Sequence, residues 1–297
     1  MGSGAFGPSG SRAEPSPCLS NSMDIVRRIG CPACGSARVR VAFTHAEWQV
    51  VAQASVDSRR DFARAMAAEP ALGFEAFLVC EDCATLFADR VPPPALLEQF
   101  YQDYHGNPGY AEKIPRKLAL ERRRIFALKF LTHGRRFLDI GCNIGCAVEA
   151  ARRSGFTATG LELDASAVAA AARRFPGNRF LVGTLETLAP GQYFDLVQCT
   201  EVVEHVAAPR DFLADLGAVV APGGIALITT PDAGHRSVRE ALLEWPEVKP
   251  PEHLTLFSRA GMRAALAGQF DLVWILPNRK PGLQVIARKN RAPKARA

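Results

Sequence analysis

Residues 136–150 read RFLDIGCNIGCAVEA, an apolar run that ends in spaced glycines and passes straight into helix-forming sequence. Phe137, Leu138 and Ile140 suit a buried strand, while Gly141 and Gly145 supply a tight turn before CAVEAARR begins a helix. A strand leaving through such a turn puts the turn at a strand's carboxyl end, where open α/β sheets hold ligands. Cys142 and Cys146 lie four apart in it without a histidine or carboxylate at ligand spacing. They read as small packed residues.

Outward from this stretch, strands and helices alternate: TATGLELD, ASAVAAAARRF, RFLVGT, YFDLVQC, RDFLADLGAVV and GIALITT. Alternation of this kind predicts a parallel sheet with helices on both faces. The chain closes with FDLVWIL and LQVIARK around PNRKPG, a connection too short for a crossover helix. That last pair is therefore expected to run antiparallel.

A dinucleotide fingerprint needs G-x-G-x-x-G, and here Asn143 and Cys146 occupy the second and third glycine places. The pattern present is acidic-x-Gly-x-Asn-x-Gly, formed by Asp139, Gly141, Asn143 and Gly145. Asparagine accepts a positive φ more readily than most residues with side chains. At this motif the sequence resembles class I S-adenosylmethionine-dependent methyltransferases.

Two further blocks carry the resemblance over roughly residues 136–290: Glu162 at the end of TGLE, and FDLVQCTEVVEHVAAPRDFL followed by LGAVVAPGGIALITTPD. It implies an α/β, Rossmann-like seven-stranded sheet, mostly parallel with an antiparallel C-terminal strand, and S-adenosyl-L-methionine as cofactor. By the same resemblance Asp139 orients the loop and the methionine amino group, Glu162 receives the ribose hydroxyls and Leu163 flanks the adenine. Backbone groups of Thr184 and Leu185 stand where relatives place an acid against the adenine, and Thr200 lies at the fourth-strand exit. Asp164, before ASAVAAAARRF, reads as a helix N-cap instead.

Transfer to a hydroxyl or an acidic carbon needs a base, and histidine suits that task near neutrality. His205 and His253 are the candidates. EVVEHV resembles the Glu-His element of ubiquinone-type O-methyltransferases, and the phrase PPEHLTLFS recurs in zinc-ribbon methyltransferases. Both histidines also have structural readings, a helix-start residue and a loop brace. Glu201, Glu204 and His205 have spacing for a divalent ion, although carboxylates at a helix N-terminus are favourable without one.

Nearer the start, CPACGS supplies Cys31 and Cys34, and FLVCEDCATLF supplies Cys80 and Cys83. Two CxxC hooks suit tetrahedral structural zinc, and the strand-turn-strand pattern around the second suits a zinc ribbon. Residues 45–69 between the hooks read as a helical insertion. The organisation expected is a disordered head (1–22), a zinc ribbon (23–90), a helical linker or lid (91–134), the methyltransferase domain (135–290) and a basic tail (291–297).

Nine basic residues and one acid, Glu121, fall between Lys113 and Arg136, with Leu118, Ile125 and Leu128 at helical spacing. This predicts an amphipathic helix whose basic face is solvated or attracts an anionic substrate. Tyr101, Tyr104 and Tyr110 ahead of it read as a lid or as interdomain packing. The formal charge of +6 owes five of its units to the last ten residues, so the body is nearly neutral.

Hydrophobic residues make up 48% of the chain, yet no apolar run is long enough for a bilayer span or a secretory signal. Two close cysteine pairs fit a reducing, cytoplasmic setting better than a disulfide scaffold. The function expected is methyl transfer to a small molecule, glycan or lipid-linked intermediate, on oxygen before carbon. An RNA methyltransferase gripping nucleic acid through ribbon and basic helix is the enzymatic alternative, and a non-catalytic cofactor-binding scaffold is the other.

Overall fold

The computed structural model describes residues 25–104 and 113–289. The head expected at 1–22, Tyr110 and the tail at 291–297 lie outside them. The first part holds β1 (Val26–Arg27), β2 (Val39–Thr44), α1 (His45–Ala54), α2 (Ser58–Ala68), β3 (Ala76–Cys80), β4 (Leu86–Ala88) and β5 (Arg90–Val91). Thr44 starts α1 with a reciprocal capping box to Glu47, and Asp57 caps α2. The stretch between the two cysteine hooks is thus helical for local reasons. α3 (Pro94–Tyr104) and α4 (Ile114–Leu128) follow, α4 burying Ile114, Ile125 and Leu128 along one face.

The second part alternates as expected: β6 (Arg136–Ile140), α5 (Cys146–Arg153), β7 (Thr157–Glu162), α6 (Ala165–Arg174), β8 (Arg179–Val182), β9 (Phe194–Thr200), α7 (Pro209–Val219) and β10 (Val220–Pro231). After α8 (Arg236–Glu240) and β11 (Thr255–Leu256) come α9 (Arg259–Leu266), β12 (Leu272–Leu276) and β13 (Gly282–Arg288). Asp164 caps α6, and Ser258 caps α9.

Seven strands form one sheet in the order β12-β13-β10-β9-β6-β7-β8. Pairs from β8 through β10 are parallel, whereas β13 is antiparallel to both β10 and β12. The central strands are apolar on both faces because α4 and α5 cover one side and α7 and α9 the other. Phe137, Leu138, Leu196 and Ile225 are fully buried. In register, Asp139 on β6 lies between Gly160 on β7 and Gln198 on β9. A Cβ at Gly160 would stand 2.7 Å from Cys142 Sγ and 2.8 Å from the Phe180 ring, so only glycine lets the loop after β6 settle onto β7. No helix among the described residues is long and apolar enough to cross a membrane.

A second sheet, β11-β4-β3-β2, joins the two parts of the chain. Its edge strand β11 comes from the segment after β10, and pairs Thr255 with Phe87 and Leu256 with Leu86. The same segment fills the core beneath: Trp48, Phe62, Phe74 and Phe77 pack with Val238, Trp245, Val248 and Leu256. Trp48 is fully buried and its indole N–H donates to the Val248 carbonyl at 2.9 Å.

Trp48→Phe keeps the aromatic filling and leaves that carbonyl without its donor. An unsatisfied buried acceptor costs roughly 1–3 kcal/mol. The urea midpoint is expected to fall accordingly; an unchanged midpoint would show that the bond contributes nothing.

Candidate active site

The loop from Gly141 to Gly145 winds through three left-handed residues, Gly141 (φ 71°), Asn143 (φ 47°) and Gly145 (φ 79°). Gly145 is the N-cap of α5, which leaves first-turn N–H groups facing the end of the sheet. A Cβ on Gly141 would lie 2.5 Å from Val202 Cγ2. The Glu162 carboxylate fixes the loop from the next strand: Oε2 accepts from Asn143 N at 2.9 Å, and Oε1 from Leu163 N at 2.8 Å and Asp164 N at 3.2 Å. Three of about four acceptor positions on the carboxylate are therefore taken by backbone. Glu162 is first a clamp between two loops, with Oε2 the oxygen that has acceptor capacity to spare.

Asp139 sits below the loop, 4% exposed. Burial pushes its carboxyl well above the usual carboxylate range, and the charges of Glu121 and Glu162 push the same way. Glu121 comes from α4, pairs with Arg124 at 3.0 Å and accepts from Gln198 Nε2 at 3.1 Å. At the adjacent strand exit, the buried Thr200 hydroxyl makes no hydrogen bond among the described residues. Burial likewise raises Cys142 and Cys146, which stay thiols. The backbone of Thr184 and Leu185 begins a short turn of 3-10 helix after β8, beyond Gly183, whose N–H donates to the Glu162 carbonyl at 2.9 Å.

Beyond Thr200 the chain turns sharply at Glu201, itself left-handed (φ 53°), into a single 3-10 turn at Val203–His205. Thr229 on β10 donates to Glu201 Oε1 at 2.8 Å, and Thr230 donates to Glu204 Oε2 at 2.9 Å. Glu204 is fully buried, and burial together with the Glu201 charge pushes it well up. Among the described residues, Glu204 Oε1 meets no donor.

His205 Nδ1 donates to the Glu252 carbonyl at 2.8 Å, which makes Nε2 its basic nitrogen, 4.0 Å from Glu204 Oε1. His253 Nδ1 donates to the Glu247 carbonyl at 2.9 Å, and its ring meets His205 edge-on at 4.8 Å between centroids. Burial holds His253 well below the usual histidine range, so it is neutral at pH 7. One nitrogen of each ring and one Glu204 oxygen lie within 4.8 Å of one another. The trio that converges thus contains His253 in place of Glu201, whose carboxylate is held on Thr229.

Cys31, Cys34, Cys80 and Cys83 form a second cluster, with all four sulfurs within 4.8 Å of one another. Sγ of Cys31 is 3.6 Å from that of Cys83, and Sγ of Cys34 is 3.5 Å from that of Cys80. Zn–S bonds of about 2.3 Å in a tetrahedron put sulfurs about 3.8 Å apart, so the four fit a metal. Among the described residues, every cysteine is a free thiol.

The sequence reading missed Glu121, Gln198, Thr229 and Thr230. Glu121 alone carried a signal, as the single acid in a basic helix. The others act through contacts between distant strands, for which no local pattern exists.

Asp139 has a pH signature whose sign follows from its burial. A carboxyl raised in the folded state ionises first in the unfolded chain, so its contribution to stability is whole below the ordinary range near 3.8 and is lost as pH climbs to the folded value. Asp139→Asn is expected to remove that decline, so the variant gains on the wild type from pH 4 toward 7 in urea titrations. A constant difference between the two would overturn the assignment of a neutral Asp139.

Residues 110–272, over half of the chain, match the family described as a methyltransferase domain. Over 142 residues the chain is 31% identical to a ubiquinone biosynthesis O-methyltransferase of Bradyrhizobium sp. (strain ORS 278), covering 42% of this chain and 56% of the relative. It is 30% identical over 176 residues to the protein of that name from Dinoroseobacter shibae, covering 52% of this chain and 71% of the relative. The chain spans little more than half the length of several of these relatives. A solved magnesium protoporphyrin IX methyltransferase from Synechocystis PCC 6803 is 15% identical with a TM-score of 0.46, covering 66% of this chain and 95% of that one. Motif order, strand order and the extent of the family match agree, and the chain belongs to the methyltransferase domain family.

Proposed function

We propose that this protein is an S-adenosylmethionine-dependent O-methyltransferase acting on a small molecule or lipid-linked acceptor, with a structural zinc in its cysteine ribbon. One observation carries the reading: a fixed histidine pair, His205 and the buried His253, stands with the buried Glu204 just after the β9 exit, at the same sheet end as the glycine loop. The relatives' name, ubiquinone biosynthesis O-methyltransferase, favours oxygen as the acceptor atom.

The residues present fit the cofactor. The turn at Gly141–Gly145 offers close backbone approach, Glu162 Oε2 has room for a ribose hydroxyl, and Leu163 is exposed beside it for the adenine. Backbone of Thr184 and Leu185 borders that position, and Thr200 Oγ1 is an unused donor. Asp139, neutral as it stands, gains a reason to ionise from the ammonium of a methionine moiety. Bound there, S-adenosylmethionine supplies a methyl group on a cationic sulfur that needs alignment more than activation.

The chain's own residues must hold the acceptor hydroxyl and take its proton. His205 Nε2 receives that proton, because Nδ1 is committed to the Glu252 carbonyl and fixes the ring. The imidazolium so formed faces the buried Glu204 carboxyl, and its charge favours transfer of the Glu204 proton to Glu201, which leaves a carboxylate beside the new charge. Neutral His253 orients the ring from its edge and adds no competing cation. A second reading has Glu204, His205 and His253 hold a divalent cation against the acceptor oxygen, and Glu204 Oε1 favours it. Stimulation of zinc-replete protein by added Mg2+ or Mn2+ distinguishes that reading from the simple base.

One edge of the ribbon sheet is taken by β11 and the core beneath it by Trp245 and Val248, which favours an internal role over an RNA grip. The thiols suit the reducing cytoplasm.

Methyl-labelled S-adenosylmethionine incubated with extract fractions tests the reading. Label in small-molecule or lipid material is expected; label sensitive to nuclease would overturn the acceptor class. His205→Asn is expected to lower turnover about 10²–10⁴-fold with cofactor affinity unchanged by calorimetry. Full activity in that variant would remove His205 as the base.

Reduced protein is expected to contain one zinc per chain, and Cys83→Ser to lose it. The ribbon core is small and needs the metal, so the variant should red-shift the fluorescence of Trp48 and Trp245. Intact zinc content with four free thiols titratable at once would refute the site.

A further inference from the structure

Arg28 follows β1 and is half-buried where the cysteine ribbon meets two loops of the active site. Its Nη1 donates to the Leu254 carbonyl at 2.8 Å and to Thr255 Oγ1 at 3.2 Å, and its Nη2 donates to the Ala207 carbonyl at 2.8 Å. Leu254 is one residue past His253, and Ala207 is two residues past His205. The backbone N–H of Arg28 donates to the Asp89 carbonyl at 2.8 Å, between β4 and β5, so the residue is anchored in the ribbon.

Among the described residues Arg28 has no carboxylate in ion-pair range; its acceptors are neutral. Burial draws the guanidinium down to about 10, still cationic at neutral pH. A half-buried cation whose acceptors are all neutral is costly unless its geometry is used. Guanidinium is a rigid planar fork, so two carbonyl oxygens bound to its two terminal nitrogens are held at a set separation. Those carbonyls belong to the two chains that leave the histidines.

We propose that Arg28 is a positioning residue of the active site, whose fork sets the spacing of the His205 and His253 loops from the ribbon. Two weaker ties already link these loops, Leu254 N to the Glu204 carbonyl at 2.9 Å and His205 Nδ1 to the Glu252 carbonyl. Arg28 braces both from outside and makes the ribbon one wall of the acceptor site. What the histidines do rests on the function proposed above; their placement by Arg28 does not.

The test compares wild type, Arg28→Lys and Arg28→Met in full-length, zinc-loaded protein labelled with 15N-histidine. The ring-nitrogen signals of His205 and His253 are assigned by His205→Asn and His253→Asn. In both Arg28 variants these two signals are expected to move while the other histidines stay put, with zinc content and S-adenosylmethionine affinity within about twofold of wild type. Lysine, a point donor that reaches one carbonyl, is not expected to restore them. Turnover on any acceptor found is expected to fall about tenfold or more, as small misplacement of reacting groups does. Unmoved signals in either variant overturn the proposal, and so does loss of fold in both, which would make Arg28 a general stabiliser. Failure of wild type to bind S-adenosylmethionine would strike the proposed function and leave the histidine signals to decide on Arg28.

Discussion

Two backbone pairs, Thr255 with Phe87 and Leu256 with Leu86, hold the structure's two parts in one arrangement. Through them the long segment after β10 becomes the fourth strand of the ribbon sheet, and the ribbon becomes a support for that segment. Neither side is complete alone. Without β11 the strand β4 has an open edge, and without the ribbon the segment that carries His253 has no ladder. Trp48, Trp245 and Val248 close the core beneath, so backbone pairing and apolar burial act at the same seam.

That seam explains why a site rich in ionisable groups can sit in a dry place. Glu204 and His253 are both buried: Glu204 Oε2 accepts from Thr230 on β10, and His253 Nδ1 donates to the Glu247 carbonyl of the returning segment itself. Burial then decides their charge. It raises the acids and lowers His253, so the region holds few full charges until a proton moves or a cationic ligand enters. Asp139 follows the same logic on the cofactor side. Sites whose groups are poised neutral near pH 7 respond strongly to a single arriving charge.

Much of the doubly wound half was legible because its signals are local. Asn143 could replace a glycine because it tolerates left-handed backbone, and the structure puts it there at φ 47°. Asp164 announced a cap by standing before an alanine-rich run, and the short PNRKPG link left β12 and β13 no choice but to run antiparallel. The cysteine hooks were legible by spacing, and their sulfurs converge. The seam was not. β11 is two residues long, and Arg28 uses backbone carbonyls 179 and 226 residues away, acceptors that every residue type provides. Glu162 shows the intermediate case: its place was readable, but its three bonds to backbone N–H groups were not.

The same contrast bears on why a ribbon is present at all. A few short strands and two helices form a small core, and four cysteine sulfurs that converge within 4.8 Å of one another offer a metal-ligand set that can add order to it. Placing that order at β4 fixes the one strand to which β11 binds. Ser258 extends the tie, its hydroxyl donating to the Cys83 carbonyl while it caps α9. From a cysteine of the cluster, the path runs through one hydrogen bond to a helix of the seven-stranded sheet's cover, and through β11 to His253. The four-cysteine cluster at that position is thereby tied, through Ser258 and β11, to the wall of the site that carries His253.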